Sequence, residues 1–436
     1  MTETLKRTLG SRDLTLLVVG NVIGSGIFLV PASVLKQSGE SMHIAIAVWL
    51  VGGVLSLMGA LSYAELGGMD PGAGGLYAYI RDGFGAFPAF LYGWTLFFVI
   101  GAGTIATLAV AAADYMTQFT PMSSTQKSIV AVTLIVIMAV INVRGTKGSA
   151  SVQNLATGIK VLAILAMSAL LFVLGKGSTI TSVAHTVSTV SVSGVGLSII
   201  SVLWAYEGWQ YVTFIAGEAQ DPQRTIPRAL IIGTLILIGI YLIANFAYVA
   251  ALGTARMAAS DRVAGEAVAE VLGPTAGKAI ALAIIISMYS AAHATVITVP
   301  RVYFAMAQDG VFFRKLTDIH PKYGTPAVAV VTSCAWAAVL AMTGTFQQLL
   351  TYVVFIGWIF YALGAAAVIA LRIKRPDAVR PFKVPGYPVT PALFVMAAAV
   401  IVGNTVVSQP RQAAIGIGVV LLGAPAYWVW KQRLAK

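Results

Sequence analysis

Residues 18–31 read VVGNVIGSGIFLVP. Gly24 and Gly26 flank Ser25 near the middle of an apolar run that is long enough to cross a lipid bilayer. Small residues at such a position also let two membrane helices pack closely. This stretch alone therefore does not distinguish a packing contact from a broken helix.

A second stretch, LWAYEGWQYVTF at residues 203–214, favours the broken helix. Glu207 and Gly208 lie at mid-depth here, and Trp204 and Tyr206 beside them either gate or line a pocket or simply pack. Because freed backbone groups cost several kcal/mol each in hydrocarbon, a break at this depth predicts a cavity lined by protein. Paired interruptions in two halves of a chain are typical of transporters with inverted repeats and a site near the midplane.

The whole chain has the composition of a membrane protein. Of its 436 residues, 58% are apolar and 10% are charged, whereas average soluble domains are roughly 25% charged. So little charge cannot cover the surface of a soluble protein, which excludes soluble enzymes and nucleic-acid-binding proteins. A disulfide-bonded secreted scaffold is also excluded, because Cys334 is the single cysteine.

Apolar runs of about 20 residues predict an all-α integral membrane protein with twelve transmembrane helices. One transmembrane domain, 14–430, lies between an N-terminal tail, 1–13, and a C-terminal tail, 431–436. The longest predicted loops, around 175–194 and 254–276, are too short for separate domains. The predicted spans are 14–35, 43–67, 84–113, 127–142, 150–174, 195–217, 228–253, 277–300, 325–343, 347–371, 390–408 and 412–430.

The basic residues predict the orientation. Most of the 28 Lys and Arg residues fall in segments on the same side as the N-terminus. Cytoplasmic loops carry such an excess, so both termini are predicted to lie in the cytoplasm and the protein in the cytoplasmic (inner) membrane. The formal charge of +12 is then a topology signal, and no nucleic-acid partner is expected.

The two ends of an unwound helix together suit a zwitterion as ligand. The free N–H groups at the start of a half-helix attract a carboxylate, and freed carbonyls attract an ammonium group. An amino acid is the simplest such substrate. The sequence contains no catalytic triad, nucleotide-binding loop or metal-ligand spacing, so we expect no enzyme activity, no cofactor and no metal site.

Three titratable residues lie deep in predicted spans. Lys160 either occupies the place of a coupling cation, loses a proton during transport, or forms a static bridge to backbone carbonyls. Glu207 selects a cationic side chain, binds the substrate amine, carries a proton, or is merely paired with a neighbour. His293 is a proton relay or a satisfied interior group. Glu65, near a span end where water is available, is interpreted as structural.

Several stretches resemble the amino acid–polyamine–organocation superfamily, and the AYEGW form is similar to L-type amino acid transporters and their bacterial relatives. The resemblance implies a LeuT-type fold with discontinuous helices 1 and 6. It also implies inverted five-helix repeats at about 14–174 and 195–371, with peripheral helices at 390–430. The stretches are GNVIGSGIFLVP (20–31), SYAELGGMDPGAGGLYAYIRDGFG (62–85), SVQNLATGIKVLA (151–163), AYEGWQYVTFIAGEAQDPQRTIPRA (205–229), RVYFAMAQDG (301–310) and RPFKVPGYPVTP (380–391).

The resemblance further implies residue roles. Ser25, Gly26 and the adjoining N–H groups take the substrate carboxylate, Trp204 is a gate, and Lys160 stands where sodium-coupled relatives hold a sodium ion, with Ser287 as its partner hydroxyl. The carbonyls of Ile23, Trp204, Ala205 and Glu207 take the amine. The full set of implied substrate-binding residues is Ile23, Gly24, Ser25, Gly26, Ile27, Trp204, Ala205, Tyr206, Glu207 and Gly208.

The function implied is an amino acid permease that moves neutral L-amino acids by alternating access, as an exchanger or a proton symporter. Lys160 argues against sodium coupling, and Glu207 motivates the alternative of cationic amino acid or polyamine transport. A sensor that binds without transporting is a remote alternative. The loop Thr117–Lys127 contains no cysteine, so we expect no covalently linked heavy chain. The expected partners are the amino acid, the lipid bilayer and, in symport, protons.

Overall fold

The chain is helical throughout the part that the structure describes. This computed structural model covers residues 7–177, 192–343 and 346–434, and it contains no strand within those ranges. The ends of both predicted tails and the centre of the predicted loop 175–194 lie outside the described residues.

The described residues form seventeen α-helices. In chain order they are α1 Ser11–Val22, α2 Gly26–Gln37, α3 Met42–Met69, α4 Leu76–Phe84, α5 Ala86–Thr95, α6 Gly101–Met116, α7 Ser124–Val143, α8 Thr146–Leu174, α9 Val192–Ala205, α10 Pro222–Ala258, α11 Val263–Leu272, α12 Pro274–Thr298, α13 Pro300–Gln308, α14 Ala327–Thr343, α15 Phe346–Lys374, α16 Val389–Ser408 and α17 Pro410–Leu434.

Many of these helices can cross a bilayer. Among the described residues, nine are long and apolar enough, and α1 with α2 makes a tenth if the bent pair is one span. Helix α14 is apolar but has only 17 residues. The prediction of an all-α protein with many membrane spans is confirmed, while the number twelve stays a prediction.

Both predicted breaks are present. Helices α1 and α2 are separated by Ile23–Ser25 and bend by 46°. Helix α9 ends at Ala205, and a 3-10 segment, Trp209–Glu218, continues the chain after Gly208, whose φ is 114°. That φ is a left-handed conformation that an L side chain rarely adopts, so glycine is required at this turn.

The broken helices lie inside the bundle. Helix α1 packs against α8, α10 and α12, and α2 packs against α9. Gly20 permits the contact with α8, since a Cβ there would collide with the side chains of Gln153 and Thr157. Polar groups of α8 therefore approach the backbone of α1 directly.

Two short helices lie where the sequence predicted loops. Helix α4 follows the second span, and α11 occupies the predicted loop 254–276, into which α10 also extends. Helix α4 buries Leu76, Tyr77 and Ile80 and packs against α15. Helices of nine or ten residues are too short for a criterion based on membrane thickness, so it misses them.

Glu65 is structural, but not for the predicted reason. Its side chain is buried, not solvated. The carboxylate accepts bonds of 2.8 and 2.6 Å from Arg372 and one of 2.7 Å from the N–H of Val384, and Arg380 lies 3.4 Å away. This carboxylate therefore ties α3 to α15 and to the segment that precedes α16.

Candidate functional site

The two helix breaks face each other across a very short distance. A Cβ on Gly26 would collide with the Cα of Ala205, and one on Gly208 would press on the backbone of Asn21. The hydroxyl of Tyr241 in α10 donates to the carbonyls of both breaks, at 3.2 Å to Val22 and 2.8 Å to Ala205. The breaks thus form one site, and glycine permits the close approach of their backbones.

The first break presents N–H groups. Within the described residues, no backbone carbonyl accepts from the N–H groups of Ser25, Gly26 or Ile27. They form the start of α2, a helix of twelve residues, where the helix dipole is positive. Such an end binds a carboxylate without any charged side chain.

Lys160 binds the other side of the same break. Its ammonium group donates to the carbonyls of Gly20 and Ile23, each at 2.7 Å, and the side chain is 2% exposed. These carbonyls lie at the C-terminal end of α1, where the helix dipole is negative and stabilises a cation. The observed bridge fits both the static role and the role of a fixed cation.

Ser287 in α12 also contacts this break. Its hydroxyl donates to the carbonyl of Ile23 at 3.2 Å. No bond between Ser287 and Lys160 is recorded among the described residues; the two side chains share one carbonyl instead. A carbonyl oxygen has two lone pairs, and the Ile23 oxygen already accepts from both Lys160 and Ser287.

Glu207 is the acidic residue of the second break. Its carboxylate accepts a hydrogen bond from the hydroxyl of Tyr361 in α15 and one of 2.7 Å from the amide of Gln210. No Lys, Arg or His of the described residues forms an ion pair with it. The side chain is paired with neighbours, as expected for a structural role, and it also lines the cavity between the breaks, as a role in substrate binding requires.

Trp204 closes the space between the breaks. Its indole N–H donates to the hydroxyl of Ser25 at 3.2 Å. The cavity beside it has a volume of about 20 Å³, which suits about one water molecule and not an amino acid. Its lining residues are Asn21, Val22, Gly24, Ser25, Gly26, Thr104, Leu108, Trp204 and Glu207.

The side chains of Tyr206 and His293, both predicted site residues, lie away from this cavity. Tyr206 packs against Trp49 and Tyr241, with ring centroids 6.0 and 5.0 Å apart. His293 lies between α8 and α12, where one ring nitrogen is 3.4 Å from the side-chain oxygen of Gln153. Neither residue lines the space between the breaks.

The structure adds four cavity-lining residues that the sequence analysis missed, namely Asn21, Val22, Thr104 and Leu108. Asn21 lies in the first quoted stretch, and both atoms of its buried amide have no hydrogen-bond partner in the described part of the chain. A polar residue at mid-depth is a signal that the sequence did offer. Thr104 and Leu108 come from α6, and no local pattern in the sequence connects that helix to the breaks.

A buried ion pair lies at the end of the 3-10 segment that follows the second break. Arg301 in α13 donates to Glu218 at the end of the 3-10 segment and to Thr146, each at 2.8 Å. The carboxylate and the guanidinium are both almost fully buried. Leu9 adds backbone bonds to the same segment and forms an isolated parallel bridge with Ala219.

Within the described residues, no group of three or more His, Cys, Asp or Glu side chains could hold a metal ion. The breaks themselves offer backbone dipoles, one lysine and one carboxylate for the binding of charged groups.

Comparison with known proteins is consistent with this geometry. The chain is 32% identical to the serine/threonine exchanger SteT of Bacillus subtilis (strain 168), over 99% of this chain and 98% of that protein. It is 30% identical to the human large neutral amino acids transporter small subunit 2, over 98% and 82%. It is 32% identical to the human cystine/glutamate transporter, over 96% and 84%. The amino acid permease family matches residues 9–428, and this chain belongs to that family.

Proposed function

We propose that the protein is a secondary active transporter that exchanges neutral L-amino acids across the cytoplasmic membrane. The observation that carries this proposal is the opposition of the two helix breaks. One break offers unpaired N–H groups at a positive helix end, and the other offers a carboxylate. Support for exchange and for neutral substrates comes from relatives that are named for these properties.

In this proposal each break binds one end of the substrate. The N–H groups of Ser25, Gly26 and Ile27 bind the carboxylate. The ammonium group binds at the second break, to the Glu207 carboxylate and to backbone carbonyls there. The carbonyl of Ile23 contributes less, because Lys160 and Ser287 already occupy it.

The proposed transport cycle begins from a closed site. The cavity is too small for an amino acid while Trp204 bonds to Ser25, so entry requires the indole to move. The Glu218–Arg301 pair closes the opposite exit and must open for release. Lys160 stays charged throughout as a fixed substitute for a coupling cation.

The architecture that we propose for this cycle is the LeuT-type arrangement of twelve spans. Two inverted repeats, at about 14–174 and 195–371, each begin with a broken helix. The positions of the two observed breaks, one at the start of each half, support this arrangement. Both termini would lie on the cytoplasmic side, where Arg301 and Glu218 form the inner seal.

The test is uptake of labelled neutral amino acids into proteoliposomes. We expect uptake only when unlabelled amino acid is present inside, with no response to an inward proton gradient. Uptake into empty vesicles that is driven by the gradient would contradict exchange and indicate proton symport. No uptake of any amino acid, by protein that still binds one, would contradict transport itself.

A second candidate function is the transport of cationic amino acids or polyamines. Glu207 favours it, because this buried carboxylate lines the cavity without an ion-pair partner among the described residues. Competition experiments distinguish the two candidates. Inhibition of uptake by arginine or putrescine, and not by serine or leucine, would select the second.

A further inference from the structure

A groove on the membrane-facing surface lies apart from the transport site. It has a volume of about 480 Å³ and runs between α7 and α14. Its walls include Val136, Val140 and Val331, which are 53%, 45% and 51% exposed, and its floor includes Ile135 and the buried Cys334. Exposed aliphatic walls along two apolar helices are suited to contact with a lipid chain.

One end of this groove is basic. Arg144 caps the C-terminus of α7 and lines the groove, and its guanidinium forms no ion pair with any described residue. Tyr323 lines the same end, and the ammonium of Lys322 lies 5.5 Å from the centre of its ring. The hydroxyl of Thr325 donates to the carbonyl of Val143 at 2.8 Å, which fixes this loop beside the end of α7.

The two ends of the groove therefore have different chemistry. The end of a membrane-spanning helix lies near the lipid headgroups, where a free arginine meets phosphate. A guanidinium binds phosphate oxygens through two parallel hydrogen bonds, and a tyrosine hydroxyl can add a third. The apolar length beyond Arg144 matches the hydrocarbon part of the same molecule.

A second apolar groove differs from the groove between α7 and α14 because no charged residue lines it. It has a volume of about 600 Å³ and lies among α5, α6, α14, α15 and α17. Trp94, Phe98 and Trp336 line it, and no Lys, Arg, Asp or Glu is among its lining residues. Such a groove accepts an apolar chain without regard to the headgroup.

We propose that the groove between α7 and α14 binds one anionic phospholipid, with an acyl chain along the valine walls and the phosphate at Arg144. The site is independent of the amino acid site, because it shares no lining residue with the cavity between the helix breaks.

Native mass spectrometry of the purified full-length protein tests this proposal. The protein is reconstituted with equal amounts of phosphatidylglycerol and phosphatidylcholine that carry identical acyl chains. We expect one retained phosphatidylglycerol, enriched about tenfold over phosphatidylcholine, because the choline cation that phosphatidylcholine carries beside the same phosphate is repelled by the unpaired charge of Arg144. Arg144→Gln should abolish the enrichment, whereas Arg228→Gln, at an exposed arginine outside the groove, should preserve it.

A second variant tests the apolar half of the site. Val331→Trp fills the groove and should lower retention of both lipids while Arg144 is intact. Amino acid uptake by each variant verifies that it is folded. Equal retention of the two lipids by the unaltered protein, or unchanged enrichment in Arg144→Gln, would overturn the proposal. Lipid retention that Val331→Trp does not reduce would place the lipid elsewhere and overturn it as well.

Discussion

The two helix breaks carry side chains of opposite charge type. At the first break, between α1 and α2, the carbonyls freed by the interruption are bound by the Lys160 ammonium. At the second break, after α9, the chain carries the Glu207 carboxylate, which accepts hydrogen bonds from two uncharged groups, the Tyr361 hydroxyl and the Gln210 amide. The first break therefore has a cation that is already engaged, and the second has an anion with capacity for another partner.

This difference indicates which break is fixed and which one responds to a ligand. Two short bonds from a buried lysine hold the first break in one conformation. At the second break, hydroxyl and amide donors can rearrange at a lower energetic cost than an ion pair. We infer that substrate identity is read mainly at the second break, while the first supplies a constant carboxylate site.

The largest effect is expected from Lys160→Ala. Loss of two bonds to a charged donor leaves the Gly20 and Ile23 carbonyls less satisfied, which costs about 3 kcal/mol and corresponds to about a 100-fold loss of transport. Uptake per molecule of protein in proteoliposomes measures this loss. The matched control is Lys176→Ala, at an exposed lysine near the end of α8, which should transport normally. Full activity of Lys160→Ala would mean that the first break needs no cation.

The second prediction concerns the backbone contact between the breaks. Gly26→Ala forces a methyl group against Ala205. Gly208→Ala places a methyl group against Asn21 and also forces alanine into a positive-φ conformation that L residues rarely adopt. Overpacking and the strained turn each cost about 1–3 kcal/mol, so we expect about a 10- to 100-fold loss of substrate binding in each variant.

Gly239→Ala in α10 is the control for these glycines, because a Cβ there meets no atom within 4 Å. It should bind substrate normally and unfold at the same or a slightly higher temperature. Equal behaviour of all three alanine variants in a thermal-shift binding assay would refute the proposed close contact.

A moderate effect is expected from Glu207→Gln. The substitution keeps the size of the side chain and removes its charge, which weakens the bond to an ammonium group by about 1.5 kcal/mol, or roughly tenfold in affinity. An uptake panel measured at several pH values should show altered substrate preference or a flatter pH profile. Glu266→Gln, at an exposed glutamate in α11, should change neither. If Glu207→Gln also changes neither, the carboxylate is structural and the comparison between the breaks loses its functional meaning.

The smallest effect is expected from Asn21→Ala. The Asn21 amide has no partner among the described residues, so its removal should not lower the free energy of unfolding. If the amide binds a substrate hydroxyl, the KM for serine and threonine should rise several-fold, while the KM for alanine stays constant. Asn404→Ala in α16 provides the comparison at a site far along the chain. An unchanged KM for serine would exclude Asn21 from recognition of the substrate side chain.

Sequence reasoning located both breaks because each depends on local chemistry. Glycines on both sides of Ser25, and the Glu207–Gly208 pair, interrupt apolar runs at mid-depth, and the structure contains a break at each position. The depth of Lys160 was equally readable, because helix rise converts residue number into distance.

Other predictions depended on contacts that the sequence does not encode. Tyr206 adjoins the break in the sequence, which favours a place at the pocket, but its ring packs on Trp49 from α3. Glu65 lies near a predicted span end, where we expect water around the side chain. It is instead buried and accepts hydrogen bonds from Arg372 and Val384, which are distant in the chain. The residues adjacent in sequence do not indicate where the side chain of Tyr206 or of Glu65 points.

The sequence by itself determined that this is an all-helical membrane protein with two interrupted helices, because hydrocarbon requires apolar spans and satisfied backbones at every position. Only the tertiary structure decided which groups meet at the interruptions. Lys160 and Ser287 share the carbonyl of Ile23, and Trp204 reaches Ser25, across separations of more than a hundred residues. Such pairings follow from how the helices pack against one another, which no local pattern in the chain specifies.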